Sequence, residues 1–150
     1  FMDQFKGTVY RQTMFAEFEL AMGKMAESGQ ALTADALCQK YHALNKLYFG
    51  PDMVSDDQIA LEWARIPHFF YNYYVFQYAT GFSAAVAIAN RILKEGAPAV
   101  ADYKKFLSGG CSTDPISLLK IAGVDMSSPE PVNSALALFG ELVDEMEQLV

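Results

Sequence analysis

Ile66-Pro67-His68-Phe69-Phe70-Tyr71-Asn72-Tyr73-Tyr74-Val75-Phe76-Gln77-Tyr78-Ala79-Thr80-Gly81 opens an uncharged run that continues to Ala89. A run of that length could cross a bilayer, which takes roughly 20 apolar residues. Its interior argues otherwise. Pro67, His68, Asn72, Gln77, Thr80 and Ser83 interrupt it, and its tyrosines sit in the middle, whereas membrane spans carry Tyr and Trp at their ends. The run therefore reads as the central helix of a globular protein, with no membrane partner. Arg65-Ile66-Pro67 introduces it, since a proline at the first helical position gives up only an N–H that would have no partner there. The helix is expected to run to about Lys94 and to end at Gly96.

Helices are expected on both sides. Asp3 to about Ser28 reads as one long helix with Phe5, Val9, Phe15, Phe18, Leu20 and Met22 on a broad apolar face, stopped by Ser28-Gly29. Thr33 suits an N-cap for a second helix to Tyr48 or Phe49, which Gly50-Pro51 ends. Asp52 to Asp57 is a polar connector, where Ser55 could cap a short turn through Trp63. After the central helix, Pro98 starts a fourth through Leu107. Asp114-Pro115 is a cap and first residue for a fifth ending near Gly123, and Ser128-Pro129 repeats the device for a sixth, Glu130 to Leu149. No stretch alternates with period two. The expected fold is all-α, about six helices in a single helical segment, residues 1–150.

Composition narrows the function. The formal charge is −7, from 11 basic and 18 acidic side chains. Nucleic-acid and anionic-membrane binders need net Lys and Arg, so neither partner is expected. Cys38 and Cys111 lie far apart and form no disulfide framework, which suits a reducing, cytoplasmic setting. The chain opens at Phe1, without an initiator Met or a visible signal peptide, and so is expected to be a fragment, a processed product or a trimmed form.

Several candidate sites can be weighed on spacing. The commonest zinc peptidase motif needs two His one turn apart with a Glu between them. His42 and His68 are the only histidines and stand far apart, so no metal-ligating residue is assigned and no zinc is expected on this chain. Cys38 and His42, at i and i+4, read as a structural pair. Glu17 and Glu19 point to different faces, one expected exposed and one paired with a base such as Arg11. The Ser108 to Pro115 loop lacks a phosphate-binding Lys and reads as a capping turn. The central helix differs. At the helical turn per residue, Tyr71, Tyr74 and Tyr78 fall within an arc of about 60°, with His68 roughly 60° further round. Such a stripe of neutral donors can hold a peptide backbone or stabilise an oxyanion. It can equally be an aromatic core helix whose hydroxyls find partners, and spacing does not decide between them.

Three stretches carry a family likeness. They are Thr8-Val9-Tyr10-Arg11-Gln12-Thr13-Met14-Phe15-Ala16-Glu17-Phe18-Glu19; Ile66-Pro67-His68-Phe69 through Tyr78-Ala79-Thr80-Gly81; and Gly109-Gly110 through Pro115 with Ala122-Gly123-Val124-Asp125-Met126-Ser127-Ser128-Pro129-Glu130. In these, and in their order, the chain resembles the C-terminal part of the oligoendopeptidase F family of thimet-oligopeptidase-like zinc metallopeptidases.

The resemblance implies a mostly helical zincin-type fold with a deep channel, cutting short peptides. It implies a zinc held by a His-Glu-x-x-His motif and a later Glu, with zinc-activated water as the attacking group. Those elements precede the stretch matched here, so Glu17 is not assigned as a ligand. The resemblance assigns His68, Tyr71 and Tyr74 to catalysis, as donors to the substrate backbone and oxyanion, and Tyr78 and Tyr73 to substrate binding. The family's motif tends to have Tyr where this chain has Phe70 and Phe76, so contacts from those hydroxyls would be missing. The partners implied are short peptides and the rest of a peptidase chain, and exposed apolar faces would favour a homodimer. On this basis the chain alone is expected to be inactive. A stand-alone helical module that binds a peptide or partner helix without turnover is the alternative.

Overall fold

Every regular element in residues 1–149, which the computed structural model describes, is a helix. The order is α1 Met2–Phe5, a π turn Lys6–Tyr10, α2 Arg11–Glu27, α3 Ala34–Phe49, 3-10 helices Ile59–Arg65 and Pro67–Tyr71, α4 Phe76–Glu95, α5 Ala97–Ser108, α6 Pro115–Ile121 and α7 Glu130–Glu147. The all-α expectation holds. Among the described residues no helix is long and apolar enough to cross a membrane.

The chain forms two compact units. In Lys6–Ala79, α2 supplies Met14, Phe15 and Phe18 to a core that α3 completes with Leu37, Tyr41 and Leu44, joined by Ile66 and Val75. Phe18 and Tyr41 meet edge-on at 5.2 Å and are both fully buried. Each such ring contributes about 1.5–3 kcal/mol by burial. Phe69 closes the core edge-on against Phe15 (5.6 Å) and Phe18 (5.3 Å). In the other unit, Phe1–Phe5 with residues 80–149, Ala84 and Ile88 pack with Ala122 and Val124. There Phe5 stacks on Phe139 at 4.5 Å.

Local signals fare unevenly. Thr33 caps α3, its hydroxyl accepting from the Ala36 N–H at 3.2 Å, and Asp114 caps α6 through the Ser117 N–H at 2.9 Å. Ser128 does not cap α7: its hydroxyl donates to the Asp125 carbonyl instead, and the helix begins at Glu130 behind Pro129. Nor does Ser55 cap the turn before Ile59. Asp56 does that, and Ser55 donates to Asn45.

The largest departure is the central helix, which is not continuous. The 3-10 helix ends at Tyr71, Asn72 and Tyr73 take positive φ (53° and 56°), and α4 starts only at Phe76. Two consecutive non-glycine residues in the left-handed region cost on the order of 1–3 kcal/mol each, and persist only where their surroundings impose them.

Candidate functional site

The segment carrying His68 and the tyrosines hangs from the α2–α3 core. At its front stands Glu62, whose side chain is 8% exposed. Its carboxylate accepts from Arg11 (2.5 Å), from the Tyr41 hydroxyl (2.5 Å) and from Arg65. Arg11 also lies over the Phe15 ring at 4.9 Å. Burial, first, and the hydrogen bond to Glu62 push the Tyr41 phenol far above its ordinary range. The hub ties α2, α3 and the first 3-10 helix together. The chain then leaves at buried Ile66, and Pro67 starts the second 3-10 helix.

Phe69 turns into the core from that helix, while Phe70 and Tyr71 face solvent. The break at Asn72-Tyr73 follows, and fully buried Val75 re-anchors the backbone before α4. The break changes which residues can touch. On a straight α-helix His68 and Tyr78 would lie about 15 Å apart along the axis, at 1.5 Å per residue. Here the Tyr78 Oη lies 3.3 Å from His68 Nε2.

Four aromatic rings consequently share one spot. His68 stacks on Tyr74 (5.7 Å between centroids, 14° between planes), with Tyr71 and Tyr78 edge-on to the imidazole, each at 5.9 Å. Tyr71 and Tyr78 also meet Tyr74 edge-on, at 5.6 and 5.5 Å. Tyr78 donates its hydroxyl proton to the Tyr74 oxygen at 3.2 Å. With that proton committed, the contact to His68 is a donation from the imidazole Nε2–H to the Tyr78 oxygen. The chain of donors runs from His68 through Tyr78 to Tyr74 and leaves the Tyr74 proton for an acceptor beyond the cluster. The hydrogen bond to Tyr74, first, together with burial, raises the Tyr78 phenol above its ordinary range, so it stays protonated and donating.

Of the five residues assigned from sequence, the structure brings together His68, Tyr71, Tyr74 and Tyr78. Tyr73 is not among them. Its ring lies on α2, with the hydroxyl in the space a Cβ on Gly23 would need. There it lines a cleft of about 410 Å³ with Thr13, Glu17, Leu20, Tyr48 and Phe76. Glu17 and Glu19 also differ from expectation. Neither pairs with Arg11: Glu17 accepts from the Tyr48 hydroxyl at 2.9 Å, and Glu19, buried, accepts from the Tyr73 backbone N–H at 2.5 Å. Sequence reasoning missed Glu19 and Glu62. A signal for Glu19 was available, because it follows Phe15 by four residues and so shares its apolar face.

Comparison with known proteins places this geometry in a family. The model of peptidase family M3 matches residues 2–138. The chain belongs to peptidase family M3. It is 57% identical to oligopeptidase PepF of Bacillus subtilis over 99% of its own length and 22% of that protein's. It is 45% identical to group B oligopeptidase PepB of Streptococcus agalactiae, over 100% of this chain and 25% of the relative. The crystal structure of oligoendopeptidase-F from Enterococcus faecium superposes with a TM-score of 0.95 at 47% identity, over 99% of this chain and 28% of that one. The chain thus spans about a quarter of the length of these relatives.

Within this M3 chain, among the described residues, no three His, Cys, Asp or Glu side chains converge to hold a metal ion. Cys38 accepts from the Trp63 indole at 3.4 Å, and His42 Nε2 lies 3.1 Å from the Ser55 carbonyl. Both members of the i, i+4 pair serve the packing of α3.

Proposed function

We propose that this chain is the C-terminal, substrate-binding wall of a larger M3 oligopeptidase that hydrolyses short peptides. The observation that carries this is the donor chain His68, Tyr78, Tyr74, which ends in the hydroxyl of half-buried Tyr74 with a proton to give. A peptide carbonyl is the fitting acceptor. Tyr71, 60% exposed beside Tyr74, supplies a second phenol to the same substrate. The cluster is neutral, so it binds the ground-state carbonyl modestly and the oxyanion of the tetrahedral intermediate more strongly. A donor of this kind is worth about 2.7–4 kcal/mol in the transition state.

The zinc that the family resemblance implies does not fit the described residues, which offer no ligand trio. In this proposal the chain orients substrate and holds no metal, so it does not turn over peptide alone. The test uses the full-length gene product with a fluorogenic peptide. Tyr74→Phe and His68→Ala should each lower kcat on the order of 10²-fold with little change in melting temperature. A kcat within twofold of wild type in both refutes the assignment. If instead a start codon immediately precedes Phe1 and this chain binds peptides without cleaving them, a non-catalytic binding module is the better description.

A further inference from the structure

We propose that Glu19 is the positioning residue of the His68–Tyr74–Tyr78 cluster, acting through the backbone of Tyr73. This rests on the substrate-binding role above for its catalytic consequence, but not for its geometry.

The cluster forms across the break in the helix between Tyr71 and Phe76. The break is built from two left-handed residues, Asn72 and Tyr73, neither of them glycine. Asparagine visits this region readily, but tyrosine does not. Something outside the segment must hold Tyr73 there, and α2 offers two holds one turn apart. Glu19, 6% exposed, accepts from the Tyr73 N–H at 2.5 Å across a sequence separation of 54 residues. Gly23, at i+4 on the same helix, leaves open the space that the Tyr73 hydroxyl fills. The backbone is gripped at its N–H and the ring at its tip.

The grip sits at the pivot. His68 and Tyr71 precede it, and Tyr74 and Tyr78 follow it directly. An N–H to carboxylate bond is charge-assisted and roughly twice as strong as a neutral one, so it suits a strained turn. Among the described residues no cation is paired with Glu19. The carboxylate is directed to the backbone of the site segment rather than to a structural ion pair such as that of Glu62. Tyr73 is then an anchor, with no contact to substrate required of it.

The test uses the full-length gene product with ring-labelled histidine. The NMR signals of His42 and His68 are assigned there by their loss in His42→Ala and His68→Ala, those of His68 being shifted by the surrounding tyrosine rings. Glu19→Ala should move the His68 signals toward their random-coil positions and leave those of His42 in place. Glu19→Gln, which keeps a neutral acceptor, should move them part of the way. In the full-length gene product, Glu19→Ala should lower kcat on the order of 10- to 100-fold, with a smaller change in KM.

Unmoved His68 signals in Glu19→Ala overturn the proposal. If that variant fails to fold, unmoved signals in Glu19→Gln do the same. Unchanged kcat in Glu19→Ala, alongside a large loss in Tyr74→Phe, also overturns it. Displaced His68 signals with kcat unchanged in both variants support the positioning role and instead sink the substrate-binding function.

Discussion

Replacing Glu62 with alanine should cost about 3 kcal/mol, and the sum can be followed donor by donor. Tyr41 is fully buried, so its hydroxyl is left without an acceptor and without water. That alone costs about 1–3 kcal/mol. Arg11 is 35% exposed and keeps its seat over Phe15, so part of its lost ion pair is recovered by solvent. Arg65 is 70% exposed, and a pair at such a position is worth about 0–1 kcal/mol. Urea unfolding followed by circular dichroism measures the total. A thermodynamic cycle isolates the buried element. Tyr41→Phe in the Glu62→Ala background removes the orphaned hydroxyl, so the double variant should be more stable than additivity requires by roughly 1–2 kcal/mol. A loss below about 1 kcal/mol for Glu62→Ala, or strict additivity in the cycle, refutes the claim that Glu62 is a buried hub.

Three further outcomes are expected. The raised Tyr41 and Tyr48 phenols hold protons in the folded state that the unfolded chain loses above about pH 10. Their contribution is therefore intact below that pH and falls as pH rises, by about 1.4 kcal/mol per pH unit for Tyr41; Tyr48, pushed up to about 12, follows until that pH. Alkaline titration of tyrosinate absorbance should show a late phase that Tyr41→Phe removes, and simultaneous titration of all eight tyrosines in the folded protein would contradict this. Thr33→Ala should cost about 1 kcal/mol in urea unfolding, because it orphans the Ala36 N–H at the start of α3. Gly123→Ala should cost about 1–3 kcal/mol, since φ there is +78° and the Arg91 guanidinium occupies the space of the added Cβ. A melting temperature equal to wild type would exclude that packing.

The helices were legible where their ends are decided locally. Thr33 and Asp114 carry their own acceptors to the next turn, and Gly50 ends α3 at the residue expected. Ser128 and Ser55 do not cap because each side chain is turned to donate to an oxygen outside the helix it precedes, the Asp125 carbonyl and the Asn45 amide, rather than to accept from the first-turn N–H groups. Position in sequence shows that a hydroxyl is available, not which way it will turn. Glu62 was illegible for a related reason. Its three donors come from Arg11, Tyr41 and Arg65, which only the packing of α2 against α3 brings to one point.

The candidate site residues were chosen by type on a geometry that does not hold. A continuous helix would carry His68, Tyr71, Tyr74 and Tyr78 as a stripe, with its ends about 15 Å apart. A stripe of that length could line a channel, but it could not pass a hydrogen bond from an imidazole through one phenol to the next. The break at Asn72-Tyr73 turns the stripe into a cluster, and nothing within Ile66–Gly81 announces it, since the hold on Tyr73 comes from Glu19 and Gly23 in another helix. A local pattern thus picked out the candidate residues, and a non-local bond, from the Tyr73 N–H to Glu19, lies at the break across which they meet. The same separation makes the two independently testable. Substitution at Tyr74 removes a donor and leaves the cluster's backbone in place, whereas substitution at Glu19 removes no donor and should let the rings drift apart. If both variants lose turnover but only the second shifts His68, donor and arrangement are distinct requirements of one site.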